Sequence, residues 1–156
     1  IYIDPTKNSK RFEWFLEKST EIGIDNIIHI FSINSERKKI NIKRCKNILI
    51  SALKQSKRHY LPKLHEPIKF EKIFSNKING DKYIAYCDSS INLKKIICSK
   101  ANKAINCLIG PEGDFDKKEI NLAAKNGFTP ISLGEAILRT ETAGIFIASM
   151  VKSFQK

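Results

Sequence analysis

Polar side chains able to do chemistry are concentrated in one short run, Arg139-Thr140-Glu141-Thr142. The run follows a glycine turn at Leu133-Gly134 and precedes a stretch that is apolar on nearly every side, so the spacing predicts a strand, a turn and a buried helix. Thr140 offers a hydroxyl N-cap, and Glu141 falls in the first helical turn, where the helix dipole favours a carboxylate. Polar groups are costly to bury, so their presence at the start of such a helix indicates a function.

The same order of strand, glycine turn and helix occurs upstream, where the apolar run 105–109 ends at Gly110-Pro111-Glu112-Gly113. Asp116 with Glu119 three residues later predicts a capping box, and Gly127 is predicted to end that helix. Glycines at both strand exits leave room for a flat ligand against the backbone, and ligands bind at strand ends in open α/β sheets. Such turns are also common in α/β domains that bind nothing there, so the spacing alone leaves both interpretations open.

Alternating strands and helices along the chain predict an α/β fold with a parallel sheet covered by helices on both faces. The predicted strands are 1–3, 27–31, 63–65, 83–87, 105–109 and 131–133. The predicted helices run from a cap at Asn8 or Ser9 to Gly23, over 41–57, 70–74 and 93–98, and from Asp116 to Gly127. No repeat, low-complexity tract or internal boundary interrupts the 156 residues, which are expected to form one domain.

The net charge of +12 favours a polyanionic partner, with RNA or DNA as the first candidate. A compositional bias towards lysine, isoleucine and asparagine can also produce this charge without selection for binding. The four cysteines form no Cys-x-x-Cys pair and no histidine stands at metal spacing, so we expect reduced thiols, no metal and a cytoplasmic protein. No apolar run reaches the roughly 18 residues that span a bilayer and no signal peptide is recognisable, so no membrane association is expected.

Several common chemistries are disfavoured because their motifs are missing. The chain has no phosphate-binding loop of the Gly-x-x-x-x-Gly-Lys-Ser/Thr type, no Gly-x-Gly-x-x-Gly fingerprint and no His-Glu-x-x-His pattern. The carboxylates between 112 and 119 suggest a hydrolase, but capping and turn chemistry explain Asp114, Asp116 and Glu119 more simply.

Two motifs and four shorter segments carry a resemblance to a known family. Residues 108–115 read Leu-Ile-Gly-Pro-Glu-Gly-Asp-Phe, and residues 133–143 read Leu-Gly-Glu-Ala-Ile-Leu-Arg-Thr-Glu-Thr-Ala. The further matching segments are 4–8, 11–23, 35–37 and 52–56, so the similarity covers essentially the whole chain. The sequence closely resembles the 16S ribosomal RNA uridine-N3 methyltransferases of the RsmE type, in the SPOUT superfamily.

This resemblance implies a SPOUT-type domain with a C-terminal trefoil knot, in which S-adenosyl-L-methionine is held largely by backbone groups. It implies a homodimer whose partner is small-subunit ribosomal RNA or the assembled 30S subunit. Family members usually carry an N-terminal β-barrel domain that assists RNA binding, and residues 1–156 are expected to be the methyltransferase domain without it. The implied cofactor-binding residues are Leu108, Ile109, Gly110, Glu112, Gly113, Leu133, Gly134, Leu138, Arg139, Thr140, Thr142 and Ala143.

The resemblance also assigns roles to charged side chains. Methyl transfer to uracil N3 requires charge on the base to be stabilised, and Arg139 is the first choice for that catalytic role. Glu141 is the second catalytic candidate, because it can accept a proton or orient Arg139. The alternatives are a structural salt bridge for Arg139 and helix capping for Glu141.

Basic residues near aromatic rings and turns are the expected RNA contacts. These are Arg11, Arg37, Lys38, Lys54, Lys57 and Arg58.

Two positions depart from the family pattern. Many members have a second glycine where Asp114 stands, but aspartate tolerates left-handed turns and the loop is expected to keep its shape. Ala136 stands where arginine or another polar residue is common, which removes one possible RNA or substrate contact.

Taken together, these features predict S-adenosylmethionine-dependent methylation of N3 of a specific uridine in 16S ribosomal RNA. One alternative is a SPOUT methyltransferase that acts on another RNA nucleotide. The other is a non-catalytic RNA-binding module that retains the fold.

Overall fold

The computed structural model describes residues 1–91 and 104–154. The strands are β1 (Tyr2–Ile3), β2 (Asn26–Phe31), β3 (Lys63–Leu64), β4 (Ile68–Lys69), β5 (Asp81–Ala85), β6 (Ile105–Ile109) and β7 (Thr129–Ile131). The helices are α1 (Ser9–Ile22), α2 (Ile42–Gln55), α3 (Lys117–Lys125) and α4 (Thr140–Phe154), with a 3₁₀ helix at Phe70–Ser75. The helix predicted at 93–98 lies outside the described residues.

The strands described form one parallel sheet in the order β3-β2-β1-β6-β5-β7, and β4 also pairs with β2. Strand β1 lies inside the sheet, where Tyr2 pairs with Ile28 of β2 on one side and with Leu108 of β6 on the other. Strand β5 lies between β6 and β7. Because these pairings are all parallel, the carboxyl ends of the strands lie along one edge of the sheet. The parallel α/β sheet predicted from the sequence is confirmed.

Both faces of the sheet are covered, as the side chains of β6 show. Cys107 and Ile109 pack in one hydrophobic cluster with residues of α1, α2 and α4. Leu108, between them, packs in a second cluster with residues of the 3₁₀ helix and α3. Since successive side chains of a strand point to opposite faces, this division places a buried core on each side of the sheet.

Helices α1 and α3 end where the sequence predicts. The Asn8 side chain accepts a hydrogen bond from the Lys10 N–H at the start of α1, and Gly23 ends the helix with a left-handed φ of 92°. At α3 the predicted capping box is present. The Asp116 side chain accepts a hydrogen bond from a backbone N–H of the first turn, and the Glu119 side chain accepts one from the backbone N–H of Asp116. These local signals are strong because one side chain satisfies a backbone donor that the helix leaves without a partner.

Helix α4 packs on α1 through Gly144. A Cβ atom at this position would lie 2.6 Å from Cε2 of Phe15, so only glycine allows the two helices to approach this closely. The prediction that α4 is a buried helix is wrong for the single chain, in which one face of α4 is exposed. Phe146 and Met150 are half-buried and Phe154 is 40% exposed, because only the opposite face contacts α1 and the sheet.

Two strands lie earlier in the chain than predicted. Strand β5 ends at Ala85 rather than Cys87, and β7 is Thr129–Ile131 rather than 131–133. Leu133 therefore belongs to the turn that follows β7.

Among the residues described, none of the helices has the length and apolar character needed to cross a membrane.

Candidate functional site

A cavity of about 240 Å³ lies at the carboxyl ends of β5, β6 and β7. It is lined by the last residues of β5 and β6, by the segments that follow the three strands and by the start of α4. The lining residues are Ala85, Tyr86, Cys87, Ile109, Gly110, Pro111, Glu112, Asp114, Ser132, Leu133, Gly134, Glu135, Ala136, Ile137, Leu138, Arg139, Thr140 and Ala143. This is the edge of a parallel sheet at which ligands bind.

A larger cavity of about 540 Å³ lies elsewhere, beside the starts of β1, β2 and β6. Its lining includes Ile1, Asn26 and Ala104, at the opposite end of the strands. Size alone favours the larger cavity as the ligand site. Position favours the smaller one, because strand carboxyl ends and exposed glycine backbone are where open α/β sheets hold ligands.

The smaller cavity brings together nine of the twelve residues expected to bind the cofactor. They are Ile109, Gly110, Glu112, Leu133, Gly134, Leu138, Arg139, Thr140 and Ala143. Leu108 is not among the lining residues because the pleat of β6 turns its side chain to the opposite core. Thr142 is exposed outside the lining, and a Cβ on Gly113 would face Asn34.

The Gly134 turn leaves bare backbone at the cavity. Gly134 has a φ of 142°, and a Cβ built there would meet no heavy atom within 4 Å. The turn is held by Ser132, whose Oγ donates to the Gly134 carbonyl at 3.0 Å and accepts from the Gly134 N–H at 3.3 Å. Open space beside a fixed backbone is what a flat ligand requires.

Thr140 connects the start of α4 to the Gly110 turn. Its Oγ1 donates a hydrogen bond of 2.9 Å to the carbonyl of Gly110, and the residue is buried in the first turn of α4. The prediction of Thr140 as a hydroxyl N-cap is therefore wrong. Because the residue lies inside the helix, its hydroxyl bonds the neighbouring strand exit instead of the helix N–H groups.

Asp114 connects the exits of β5 and β6. The residue has a left-handed φ of 59°, its Oδ1 accepts from the Phe115 N–H at 2.7 Å, and its Oδ2 accepts from the Cys87 N–H at 3.3 Å. Burial, followed by the neighbouring Asp114 carboxylate, raises the pKa of the Cys87 thiol. The sequence placed a strand exit near Cys87, but it gave no signal that Asp114 would reach across to it.

The two catalytic candidates lie in different surroundings. Arg139 is exposed and lines the cavity. Glu141 is only 6% exposed and lies outside the lining, with its Oε1 3.8 Å from Nε of Arg11 on α1. The structure thus brings Glu141 to Arg11, a residue expected to bind RNA.

The other expected RNA contacts are divided between the two ends of the sheet. Arg37 and Lys38 follow the carboxyl end of β2, at the cavity end. Lys54, Lys57 and Arg58 lie near the start of β3, which pairs with the start of β2 at the opposite end. Lys38, Lys54 and Lys57 are exposed and available for contact.

Arg58 has a structural partner. Its Nε donates to the Glu21 carbonyl at 2.8 Å and its Nη2 to the Ile22 carbonyl at 2.7 Å, at the C-terminus of α1. Carbonyls in the last turn of a helix lack intrahelical partners, and a cation there also complements the helix dipole. These contacts commit much of the guanidinium to the fold.

Buried carboxylates hold the loops beside the cavity. Asp4 accepts hydrogen bonds from the Ser32 N–H and from the hydroxyls of Ser32 and Ser35. Glu119 accepts from the Ile33 N–H at 2.9 Å in addition to its cap bond. Burial raises the pKa of both carboxyl groups above the usual range. Across residues 1–91 and 104–154, no three His, Cys, Asp or Glu side chains are arranged to hold a metal ion.

Solved structures place this fold among RNA methyltransferases. A probable rRNA methyltransferase from Porphyromonas gingivalis superposes with a TM-score of 0.87 at 37% identity, covering 99% of this chain and 66% of that one. A ribosomal RNA small subunit methyltransferase E from Neisseria gonorrhoeae, bound to S-adenosyl methionine, gives a TM-score of 0.86 at 27% identity, covering 99% and 65%.

Sequence comparison gives the family. The chain belongs to the family described as RNA methyltransferase domain, which matches residues 1–152. Ribosomal RNA small subunit methyltransferase E of Mesomycoplasma hyopneumoniae is 35% identical over 144 residues, or 89% of this chain and 63% of that protein. The protein of the same name from Buchnera aphidicola of Acyrthosiphon pisum is 37% identical over 146 residues, or 90% and 57%. The chain thus spans about three fifths of the length of these curated relatives.

Proposed function

We propose that this chain is the catalytic domain of an S-adenosylmethionine-dependent methyltransferase that acts on N3 of a uridine in small-subunit ribosomal RNA. The observation that carries the proposal is the cavity at the carboxyl ends of β5, β6 and β7, with Arg139 on its wall. The names of the relatives and the S-adenosyl methionine in the Neisseria gonorrhoeae structure support it.

The residues at the cavity fit this cofactor. Gly134 leaves the backbone open, so that its neighbouring polar groups are accessible to a ligand. Ile109, Leu133 and Leu138 offer an apolar wall for a purine ring. Carboxylates on Glu112 and Asp114 offer acceptors for hydroxyl and ammonium groups. We further propose that the segments around this cavity are threaded as the trefoil knot that the family resemblance implies.

Arg139 is proposed as the catalytic cation. The bound cofactor would supply an electrophilic methyl group on a sulfonium and would be left as S-adenosylhomocysteine, and uracil N3 would lose its weakly acidic proton to solvent water. A guanidinium on the cavity wall stabilises negative charge that develops on the uracil ring. The same group can hold the base by hydrogen bonds, so that the N3 lone pair is directed at the cavity.

Glu141 is proposed to act through Arg11. Its carboxylate is buried, faces α1 and is not part of the cavity lining. Orientation of a neighbouring guanidinium therefore has more support than direct acceptance of the uracil proton. Arg11 in turn is half-exposed beside the start of α4, where it can contact an RNA phosphate.

A homodimer is proposed to form through the open face of α4. Phe146, Met150 and Phe154 leave apolar surface on this face, and Ile137 in the preceding loop is 83% exposed. A contiguous apolar surface of this kind is typical of a protein–protein interface. Because Ile137 also lines the cavity, an interface here would lie directly beside the proposed site.

We propose a cytoplasmic location, where ribosomal RNA is available.

The proposal is tested by calorimetric titration of the purified chain with S-adenosylmethionine, with the oligomeric state measured by light scattering. We expect saturable binding to a dimer. A folded dimer that does not bind would contradict the assignment of the cavity and would favour the non-catalytic RNA-binding module.

A further inference from the structure

The described residues that line the cavity carry a net charge opposite in sign to that of the chain. Within residues 1–91 and 104–154, three lining residues, Glu112, Asp114 and Glu135, carry carboxylates, and Arg139 carries the one guanidinium in the lining. The chain as a whole has a net charge of +12. A small acidic cavity in a basic protein favours a ligand whose reactive part is positively charged.

Asp114 is the most firmly placed of the three carboxylates. Glu112 and Glu135 are exposed, whereas Asp114 is half-buried. Backbone N–H groups of Phe115 and Cys87 each donate to one of its two oxygens. The carboxylate is thereby fixed on the cavity wall, between the exits of β5 and β6.

The backbone at Asp114 does not require an aspartate. Its φ of 59° lies in the left-handed region, which glycine adopts most easily. The electric field of the Asp114 carboxylate reaches a neighbouring group. Burial is the first cause of the raised pKa of the Cys87 thiol, and the Asp114 charge is the second.

We propose that Asp114 is a specificity residue that makes the site prefer the cationic cofactor over its neutral product. This inference rests on the proposed function. S-adenosylmethionine carries a positive sulfonium, whereas S-adenosylhomocysteine, left after methyl transfer, carries an uncharged thioether at the same atom. An anion fixed on the wall attracts the first and not the second, so it favours cofactor binding and product release.

The size of the cavity sets the size of the effect. Asp114 lines a cavity of about 240 Å³, so a charge bound within it lies near the carboxylate. Two opposite unit charges about 8 Å apart in a partly hydrated site attract strongly enough to change a binding constant by roughly three- to fivefold.

The test is calorimetric titration of wild type, Asp114→Asn and Asp114→Gly with S-adenosylmethionine and, separately, with S-adenosylhomocysteine. Asparagine keeps the size and the left-handed conformation but removes the charge, and glycine relieves the backbone as well. We expect both variants to lose roughly three- to fivefold in affinity for S-adenosylmethionine, with affinity for S-adenosylhomocysteine nearly unchanged. Glu66→Gln, which removes an exposed carboxylate outside the cavity, is the charge-matched control and should change neither affinity.

Equal losses for the two ligands would overturn the inference, because they would mean that Asp114 acts only by holding the Cys87 segment in place. Unchanged affinities for both would overturn it as well. If wild type bound neither ligand, the proposed function would fail together with the inference. If wild type bound both and the selectivity of Asp114→Asn equalled that of wild type, only the inference would fail.

Discussion

Arg139 lies on the wall of the cavity, and its proposed catalytic role differs from that proposed for the groups that hold the cofactor. We expect Arg139→Ala to lower turnover by about a hundredfold or more, because a positioned cation stabilises charge that develops only in the transition state. The affinity for S-adenosylmethionine should remain roughly intact. Single-turnover methylation assays and calorimetry measure the two quantities separately.

Arg139→Lys is the matched control for that experiment. It keeps the positive charge but lacks the planar guanidinium, so it should recover part of the turnover lost in the alanine variant. Turnover of Arg139→Ala equal to that of wild type would exclude the catalytic role.

Gly134 tests the position of the cofactor in the cavity. Because no atom lies within 4 Å of a Cβ built there, the side chain of Gly134→Val would extend into open space at the cavity. We expect affinity for S-adenosylmethionine to fall by about tenfold or more, since the side chain takes space that the ligand needs. Gly134→Ala suffers similar backbone strain at φ 142° and adds less volume, so it should bind more tightly than the valine variant. Normal binding by both variants would mean that the pocket lies elsewhere.

At the scale of residues, the sequence predicts which turns line the cavity but not where each side chain points. Gly110 and Gly134 could be identified as turn residues because each follows a predicted strand and precedes a predicted helix. The sequence gives no sign that the Thr140 hydroxyl reaches the Gly110 carbonyl or that the Glu141 carboxylate lies beside Arg11. Those contacts depend on how α1, α4 and β6 pack, and packing between distant segments leaves no local pattern.

The end of helix α1 supplies a prediction at the scale of elements. Because Arg58 donates to the carbonyls of Glu21 and Ile22, we expect Arg58→Ala to lower the free energy of unfolding by about 1 kcal/mol. Lys57→Ala removes a neighbouring exposed charge and should change stability by less than about 0.5 kcal/mol. Urea denaturation measures both, and equal stabilities for the two variants would contradict the capping role.

Strand β2 carries a group that makes stability depend on pH. His29 is fully buried, and burial lowers its pKa from 6.5 to about 4. The unfolded chain therefore binds a proton that the folded chain does not between these pH values, so stability is lost as pH falls from 6.5 towards 4. We expect wild type to lose about 2 kcal/mol more than His29→Leu between pH 7 and pH 5. Parallel pH profiles of the two proteins in urea denaturation would refute this expectation.

Among the elements, helices with side-chain caps were predicted more closely than strands. Asn8, Gly23 and Asp116 mark helix ends through local hydrogen bonds and backbone preferences, which the sequence records directly. Strand β7 was predicted two residues late because its centre is Pro130, which lacks an N–H and disfavours strands away from sheet edges. The sheet order places β7 at an edge beside β5, where a proline can be tolerated.

At the scale of the whole molecule, alternation of strands and helices was enough to predict a parallel sheet with two covered faces. The strand order was not predictable in the same way, because β1 pairs with both β2 and β6, which are distant in the sequence. That order brings the exits of β5, β6 and β7 together and so creates the cavity. Lys54 and Lys57, which we propose as RNA contacts, lie near the start of β3, at the opposite end of the sheet from the cavity.

The most direct test of the account is methyl transfer to RNA. The chain would be incubated with S-adenosylmethionine carrying a labelled methyl group and with unmodified 16S ribosomal RNA, free or assembled into small subunits. The RNA would then be digested to nucleosides and analysed by mass spectrometry. We predict label in 3-methyluridine, with none when the Arg139→Ala variant replaces wild type. Label in another nucleoside would contradict the assigned target atom, and no label from a protein that binds the cofactor would contradict catalysis by this chain.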